Sequence, residues 1–331
     1  MSGAGETGYG EAICQAFEYL LANHPETFAI GQGVWSPWYV GNSMTGLDEK
    51  FGRHRVIDTP VSELACTGAA IGAALCGYRP IVIHPRMDFM LLAVDQVVNQ
   101  AAKWSHMFGG QCAPAVTIRA IINRGGEQGA QHSQALHAWF AHVPGLRVVM
   151  PATAADARDL LVASVLSGDP VMYIDDRWLY GRKETLGPVL PRPLAGEGPV
   201  IRRPGRDVTL AGAGYSAYLC EQAADRLASE GIEAEVVDIR VLNPFDPTVI
   251  TESVRKTGAL LVVDGGWGPA GFAAEVIASV AESGGSGGLR RPPRRVTLPF
   301  APAPASRTLE AAYYPTADTV SAAVRGLLGS P

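Results

Sequence analysis

With 331 residues and 47% hydrophobic content, the chain is long enough for two domains with sizeable cores. A net charge of −5 with no long run of one sign sets aside nucleic acid and anionic membrane as main partners. Five scattered cysteines (Cys14, Cys66, Cys76, Cys112, Cys220) show no metal-ligand spacing, and neither a basic-then-apolar leader nor a bilayer-length apolar run is present. These features predict a soluble, cytoplasmic protein.

Short apolar strands alternate with helices along the chain. Residues 11–22 read as an amphipathic helix, and 27–30 lead as a strand into Gly31-Gln32-Gly33. Residues 58–78 (DTPVSELACTGAAIGAALCGY) read as a turn that opens a helix. Thr59-Pro60 restricts the approach, Ser62 can cap, and the small residues from Cys66 to Leu75 can pack tightly. Gly68, Gly72 and Gly77 lower the intrinsic helix propensity, so close packing or a partner must compensate. Then follow a strand at 80–84, a helix at 93–104, a strand at 115–121 and a helix at 134–142. A strand at 147–150, a helix at 154–167 and a strand at 171–174 complete the set, which predicts a mostly parallel sheet covered on both faces.

Residues 181–206, rich in Pro and Gly, read as a linker between domains at 1–180 and 207–331. The second alternation has strands at 207–211, 234–239, 259–263 and 295–298, with helices at 215–230, 247–256, 271–282 and 317–328. The predicted fold class is therefore α/β, two domains, each a mostly parallel sheet covered by helices. Residues 283–288 (SGGSGG) read as a flexible surface loop. Arg290, Arg291, Arg294 and Arg295 beside it fit a solvated loop better than a binding patch.

Generic motifs are sparse. Gly212-Ala-Gly214, with Ala217 at the third position, resembles the opening of a dinucleotide-binding turn, but the acid after the next strand, Asp238, is generic. His132, His137 and His142 recur every five residues and so do not share a helical face, which argues against a metal site. Glu63 alone could be a favourable charge at a helix N-terminus, Phe89 a core aromatic and His132 a cap. The functional reading of Glu63 is a partly buried carboxylate held for proton transfer.

The surroundings of these three residues form a pattern: Asp58-Thr-Pro-Val-Ser-Glu63, Ala93-Val-Asp-Gln-Val-Val-Asn99 with Ala101-Ala-Lys103, and Gly109-Gly-Gln111. Gln131-His-Ser-Gln134, His142-Val-Pro-Gly-Leu146 and Asp264-Gly-Gly-Trp267 continue it. The chain resembles, from about Gly10 to its last helix, the β subunit of the thiamine-diphosphate-dependent decarboxylating component of 2-oxo acid dehydrogenases, of the pyruvate and branched-chain types. The resemblance implies a pyrimidine-binding domain, then a transketolase C-terminal-type domain, in an α2β2 heterotetramer. It also implies that the α subunit supplies the diphosphate and Mg2+ ligands, in keeping with an Asp264-Gly265-Gly266 that no suitably spaced Asn follows.

By the same resemblance Glu63 contacts the ring nitrogen of the cofactor's aminopyrimidine, where a shared proton favours the imino tautomer needed for proton removal. Phe89 matches the aromatic that stacks on that ring, and His132 the histidine facing the reacting side, able to stabilise an oxyanion or give a proton. A K+ ion near Val116, Ser164, Ser167 and Asp169 is implied too. Three segments depart from the family pattern: Gln32 where acids usually follow the glycine, Asp175-Asp176 in place of Glu-Pro, and Val296–Phe300 without its usual Gly and Asp. They bear on substrate and acyl acceptor.

The expected activity is decarboxylation of a 2-oxo acid with acyl transfer to lipoamide on an acyltransferase partner. A split transketolase-like enzyme is the alternative; a sugar phosphate would need cationic groups, for which the chain offers Arg86, Arg119 and Arg124. A catalytically silent scaffold subunit is the third reading, and the joint presence of Glu63, Phe89 and His132 speaks against it.

Overall fold

The computed structural model describes residues 5–284 and 287–329, so Gly285 and Ser286 of the expected Gly/Ser loop lie outside the described residues. The chain divides into two compact units. The first comprises the residues up to Arg124 together with Trp139–Glu197; the second comprises Gly125–Ala138 and the residues from Gly198 on.

In the first unit six strands lie in the order Arg147–Val149, Val171–Asp176, Thr117–Ile122, Arg79–His84, Thr27–Gln32 and Val56–Thr59, each parallel to its neighbours. The three central strands are almost wholly buried and read as continuous apolar runs, as a sheet covered on both faces requires. Helix Tyr9–Asn23 packs against helix Ala154–Leu166, burying Ile13, Ala16, Phe17 and Leu20 along one stripe. Thr153 caps the second of these helices, its hydroxyl accepting the Asp156 N–H at 3.1 Å.

The second unit has a sheet of five strands in the order Arg294–Leu298, Leu260–Trp267, Val208–Gly212, Ala234–Asp238 and Val200–Arg203. The first four are parallel and the edge strand is antiparallel. Its core gathers Val208, Leu210, Leu219, Val236, Leu261, Val263, Val320 and Val324. Helices Tyr215–Ala228, Thr248–Thr257, Phe272–Glu282 and Ala317–Leu328 fall within a few residues of their expected bounds.

Several local expectations change. The stretch expected as a linker holds two strands: Lys183–Thr185 pairs with Glu6–Gly8, and Val200–Arg203 joins the second sheet. Both runs are too short and too polar to carry a clear period. The helix expected over 93–104 resolves into a 3-10 turn at Phe89–Ala93, a π-helical turn at Gln96–Ala101 and a short α-helix at Trp104–Met107. The expected helix at 134–142 is only His137–Ala141. The arginine cluster is not merely a solvated loop. Arg290 donates to Thr257 O at 2.7 Å and Arg291 to Leu327 O at 3.0 Å, each cation satisfying a carbonyl near a helix C-terminus.

Candidate active site

Glu63 is the first residue of helix Glu63–Leu75, which begins four residues after strand Val56–Thr59 ends. Ser62 holds the N-cap position, but its hydroxyl accepts no capping bond, so the half-buried carboxylate of Glu63 is the acidic group of the first turn. The helix packs against the Phe89–Ala93 turn and the π-helical turn behind it. That turn follows strand Arg79–His84, and because the intervening strands are parallel, Glu63 and Phe89 share the carboxyl edge of one sheet. Open parallel sheets place their ligands at this edge.

Phe89 is 40% exposed, and Leu92 on the same turn and Val61 and Leu64 around the start of the helix are more exposed still. A large aromatic kept half in solvent beside a half-buried carboxylate offers a flat apolar face and a proton-carrying group, as an aminopyrimidine would need. Deeper in the unit, burial pushes the His84 imidazole down to about 4, and its Nε2 lies 3.2 Å from the Thr67 hydroxyl, one turn past Glu63. Gln32, the first departure from the pattern, is half-buried, and the next residue's N–H donates to Asp58 Oδ1 at 2.6 Å.

The second departure has a structural use. Arg119 Nε and Nη2 each donate at 2.9 Å to Asp175, with both side chains fully buried; Tyr180 OH donates to the same carboxylate at 2.5 Å. Arg124 Nη2 donates to Asp176 at 2.6 Å, also buried, and its guanidinium lies over the Trp178 ring. Burial raises the Asp176 carboxyl above the ordinary range, with Arg124 pulling the other way. Of the three arginines the chain offers a phosphate, two are therefore committed to buried aspartates. The third, Arg86, is half-buried and donates to Asn123 O at 3.4 Å.

His132 belongs to the other unit. The segment Gly125–Ala138 continues from the strand Thr117–Ile122 yet packs with the second unit. It carries half-buried His132 and buried Ser133, and it ends at His137, whose Nε2 lies 2.9 Å from Asp264 Oδ1. Asp264 also accepts the N–H groups of Gly266 at 2.8 Å and Ala273 at 2.9 Å. Burial works to raise this acid, but the His137 ring and the N–H donors outweigh it and hold its carboxyl below the usual range. No motif joins this pair: Asp264 stands in Asp264-Gly-Gly-Trp267, His137 lies outside the motifs, and 127 positions of chain separate them.

The residues named for potassium gather where helix Ala154–Leu166 ends and strand Val171–Asp176 begins, with Val116 alongside. Val116 O accepts the Val171 N–H, Ser164 O accepts the Ser167 N–H, and Asp169 Oδ2 accepts Arg147 Nε at 2.6 Å. Arg79 Nη1 donates to Val165 O at 2.8 Å and to Ser167 O at 2.9 Å, so a fixed cation already meets these carbonyls. Among the described residues no group of three or more His, Cys, Asp and Glu side chains is arranged to hold a metal ion. Asp238, at the end of the strand Ala234–Asp238, is buried, and its Oδ2 accepts both Arg202 Nε (3.1 Å) and Nη2 (2.9 Å).

Comparison with known proteins places the whole chain. Residues 6–182 match the transketolase pyrimidine-binding domain, and residues 196–320 match the transketolase C-terminal domain. Over 324 residues the chain is 42% identical to the acetoin:2,6-dichlorophenolindophenol oxidoreductase subunit beta of Cupriavidus necator, covering 95% of each. It is 35% identical over 320 residues to the mitochondrial pyruvate dehydrogenase E1 component subunit beta-2 of Oryza sativa subsp. japonica, covering 95% of this chain and 84% of that one. A solved split gene transketolase, described as an inactive beta4 tetramer, shares the fold with a TM-score of 0.77 at 23% identity, covering 98% of this chain and 99% of that one. The chain therefore belongs to the transketolase-like family, among the β subunits of the thiamine-diphosphate-dependent 2-oxo acid dehydrogenases.

Proposed function

We propose that this subunit, joined to an α partner in an α2β2 heterotetramer, decarboxylates a 2-oxo acid and passes the acyl group to a lipoyl-bearing acyltransferase. The pyrimidine-binding domain would span 1–180 and the C-terminal-type domain 207–331. The observation that carries the reading is the placement of Glu63 and Phe89 on adjoining elements at the carboxyl edge of one parallel sheet.

Thiamine diphosphate, when bound, supplies the carbon nucleophile and the electron sink. This chain's own residues hold and orient it. Glu63 would share a proton with the aminopyrimidine ring nitrogen, and Phe89 would offer its face to that ring. His132 donates a hydrogen bond to negative charge on a substrate oxygen and carries the proton that acyl transfer requires. Mg2+ and the diphosphate are assigned to the α partner. Potassium has no step in the proposal. The five cysteines are free thiols, which suits a reducing cytoplasm.

The commitment of Arg119 and Arg124 to buried aspartates weighs against a sugar phosphate. A second substrate reading has its own support: the relatives named for acetoin, at 42% and 40% identity, are more similar to this chain than the pyruvate dehydrogenase subunit at 35%. With an acyloin such as acetoin, cleavage of the bond between the carbonyl and carbinol carbons would release an aldehyde in place of CO2.

The test is to co-purify the chain with its α partner, load thiamine diphosphate, and supply a panel of 2-oxo acids and acetoin. Dye reduction with CO2 release identifies a 2-oxo acid; dye reduction without it identifies an acyloin. Glu63→Gln should lower kcat by about 100-fold or more, in the range of a lost general acid–base group. Full activity in that variant would sink the role given to Glu63.

A further inference from the structure

Segment Gly125–Ala138 is tied to the second unit at both ends. At its start the Glu127 N–H donates to Glu310 Oε2 at 2.9 Å, and Arg307 lies 3.3 Å from the Glu127 carboxylate. At its end stands the His137–Asp264 pair, each side chain 4% exposed. His132 lies between these ties.

We infer that the His137–Asp264 pair is a positioning device for His132. The inference rests on the reading of His132 as the group that acts on substrate. Asp264 is itself anchored: its second oxygen accepts the N–H of Ala273, in the first turn of helix Phe272–Glu282, where the helix dipole favours an anion. The His137 ring meets the edge of Phe272, with centroids 6.3 Å apart at 72°, and Phe272 packs in turn against Phe245 at 5.5 Å. Gly266 leaves room for the ring. A Cβ there would stand 3.2 Å from Asp264 Oδ1 and 3.3 Å from His137 Cε1.

A buried charged pair is weak support for stability, since apolar packing of equal volume is often as good or better. Its particular contribution is directional. The bond fixes the point at which the segment leaves His132, and a displacement of about 1 Å in a catalytic group costs on the order of 100-fold in rate. One further feature agrees with a placement role: His137 Nδ1 is buried and meets no hydrogen-bond partner among the described residues, so the ring's hydrogen bond is to Asp264. His137 and Asp264 are thus positioning residues, acting through His132.

The test uses the α–β complex with thiamine diphosphate, comparing His137→Leu with His137→Gln. Leucine fills the space and donates nothing, whereas the glutamine amide can still donate toward Asp264. The readouts are kcat, KM for the substrate, cofactor affinity, and hydrogen exchange of the amides at 127–136. We expect His137→Leu to lower kcat about 10- to 100-fold while KM and cofactor affinity hold within about 3-fold, with faster exchange of the segment. His137→Gln should recover most of both. Equal behaviour of the two variants in kcat and exchange would reduce the pair to packing and overturn the inference. Should His137→Leu fail to fold, Asp264→Asn keeps the shape and removes the charge; unchanged kcat and exchange there would overturn it equally. His132→Ala separates the underlying reading: unchanged kcat in that variant removes the role of His132, whereas unchanged exchange in His137→Leu removes the clamp.

Discussion

Arg119 and Asp175 meet inside the first unit with neither side chain exposed, and Arg119 Nη2 also donates to the Tyr180 and Ser43 hydroxyls. Removing one partner leaves the other charge buried and unpaired. Arg119→Met should therefore lower stability by about 3–5 kcal/mol, seen as an earlier midpoint in urea, while Arg119→Met with Asp175→Leu should recover much of it. If the single and double variants lose equally, the pair is not what sets the cost. Asp238 in the second unit behaves differently, because burial pushes its carboxyl up to about 6 against the pull of Arg202. A folded value above the unfolded one means that its contribution to stability is full below about pH 4 and is lost as pH rises through about 6. The gap in melting temperature between wild type and Asp238→Asn should accordingly shift in the variant's favour between pH 4 and pH 7. A gap that stays flat across that interval would contradict the assignment.

At the scale of elements, the period of apolar residues predicts most helices and strands within a few positions, because the buried strands and the long amphipathic helices each carry a strong repeat. Besides the two short strands in the expected linker, an exception lies beside the Glu63 helix. The turn that holds Phe89 and the π-helical turn Gln96–Ala101 replace one regular helix, and both pack on the Glu63 helix. A π turn shifts side chains off a regular helical face, and such turns concentrate at functional positions. Gly31 shows a similar local demand: a Cβ there would lie 2.3 Å from the Ile83 carbonyl oxygen on the neighbouring strand. That oxygen is part of the sheet ladder and cannot move aside. Gly31→Ala should destabilise by about 1–3 kcal/mol or disturb cofactor binding at the adjacent edge, measured by thermal unfolding and thiamine diphosphate titration. A variant that matches wild type in both would show that the strands can part at that point.

For the molecule as a whole, the α/β class and the two units were legible in the amino-acid sequence, since both depend on local periodicity, and the family pattern was legible in motifs a few residues long. Local signals cannot report what depends on distant partners. That Asp175 and Asp176 neutralise Arg119 and Arg124 depends on the neighbouring strands Thr117–Ile122 and Val171–Asp176 lying in parallel register. That the His132 segment packs with the second unit, held there by Asp264, depends on a contact across 127 residues. Burial and charge pairing are properties of neighbours in space, and only the tertiary structure brings those neighbours together.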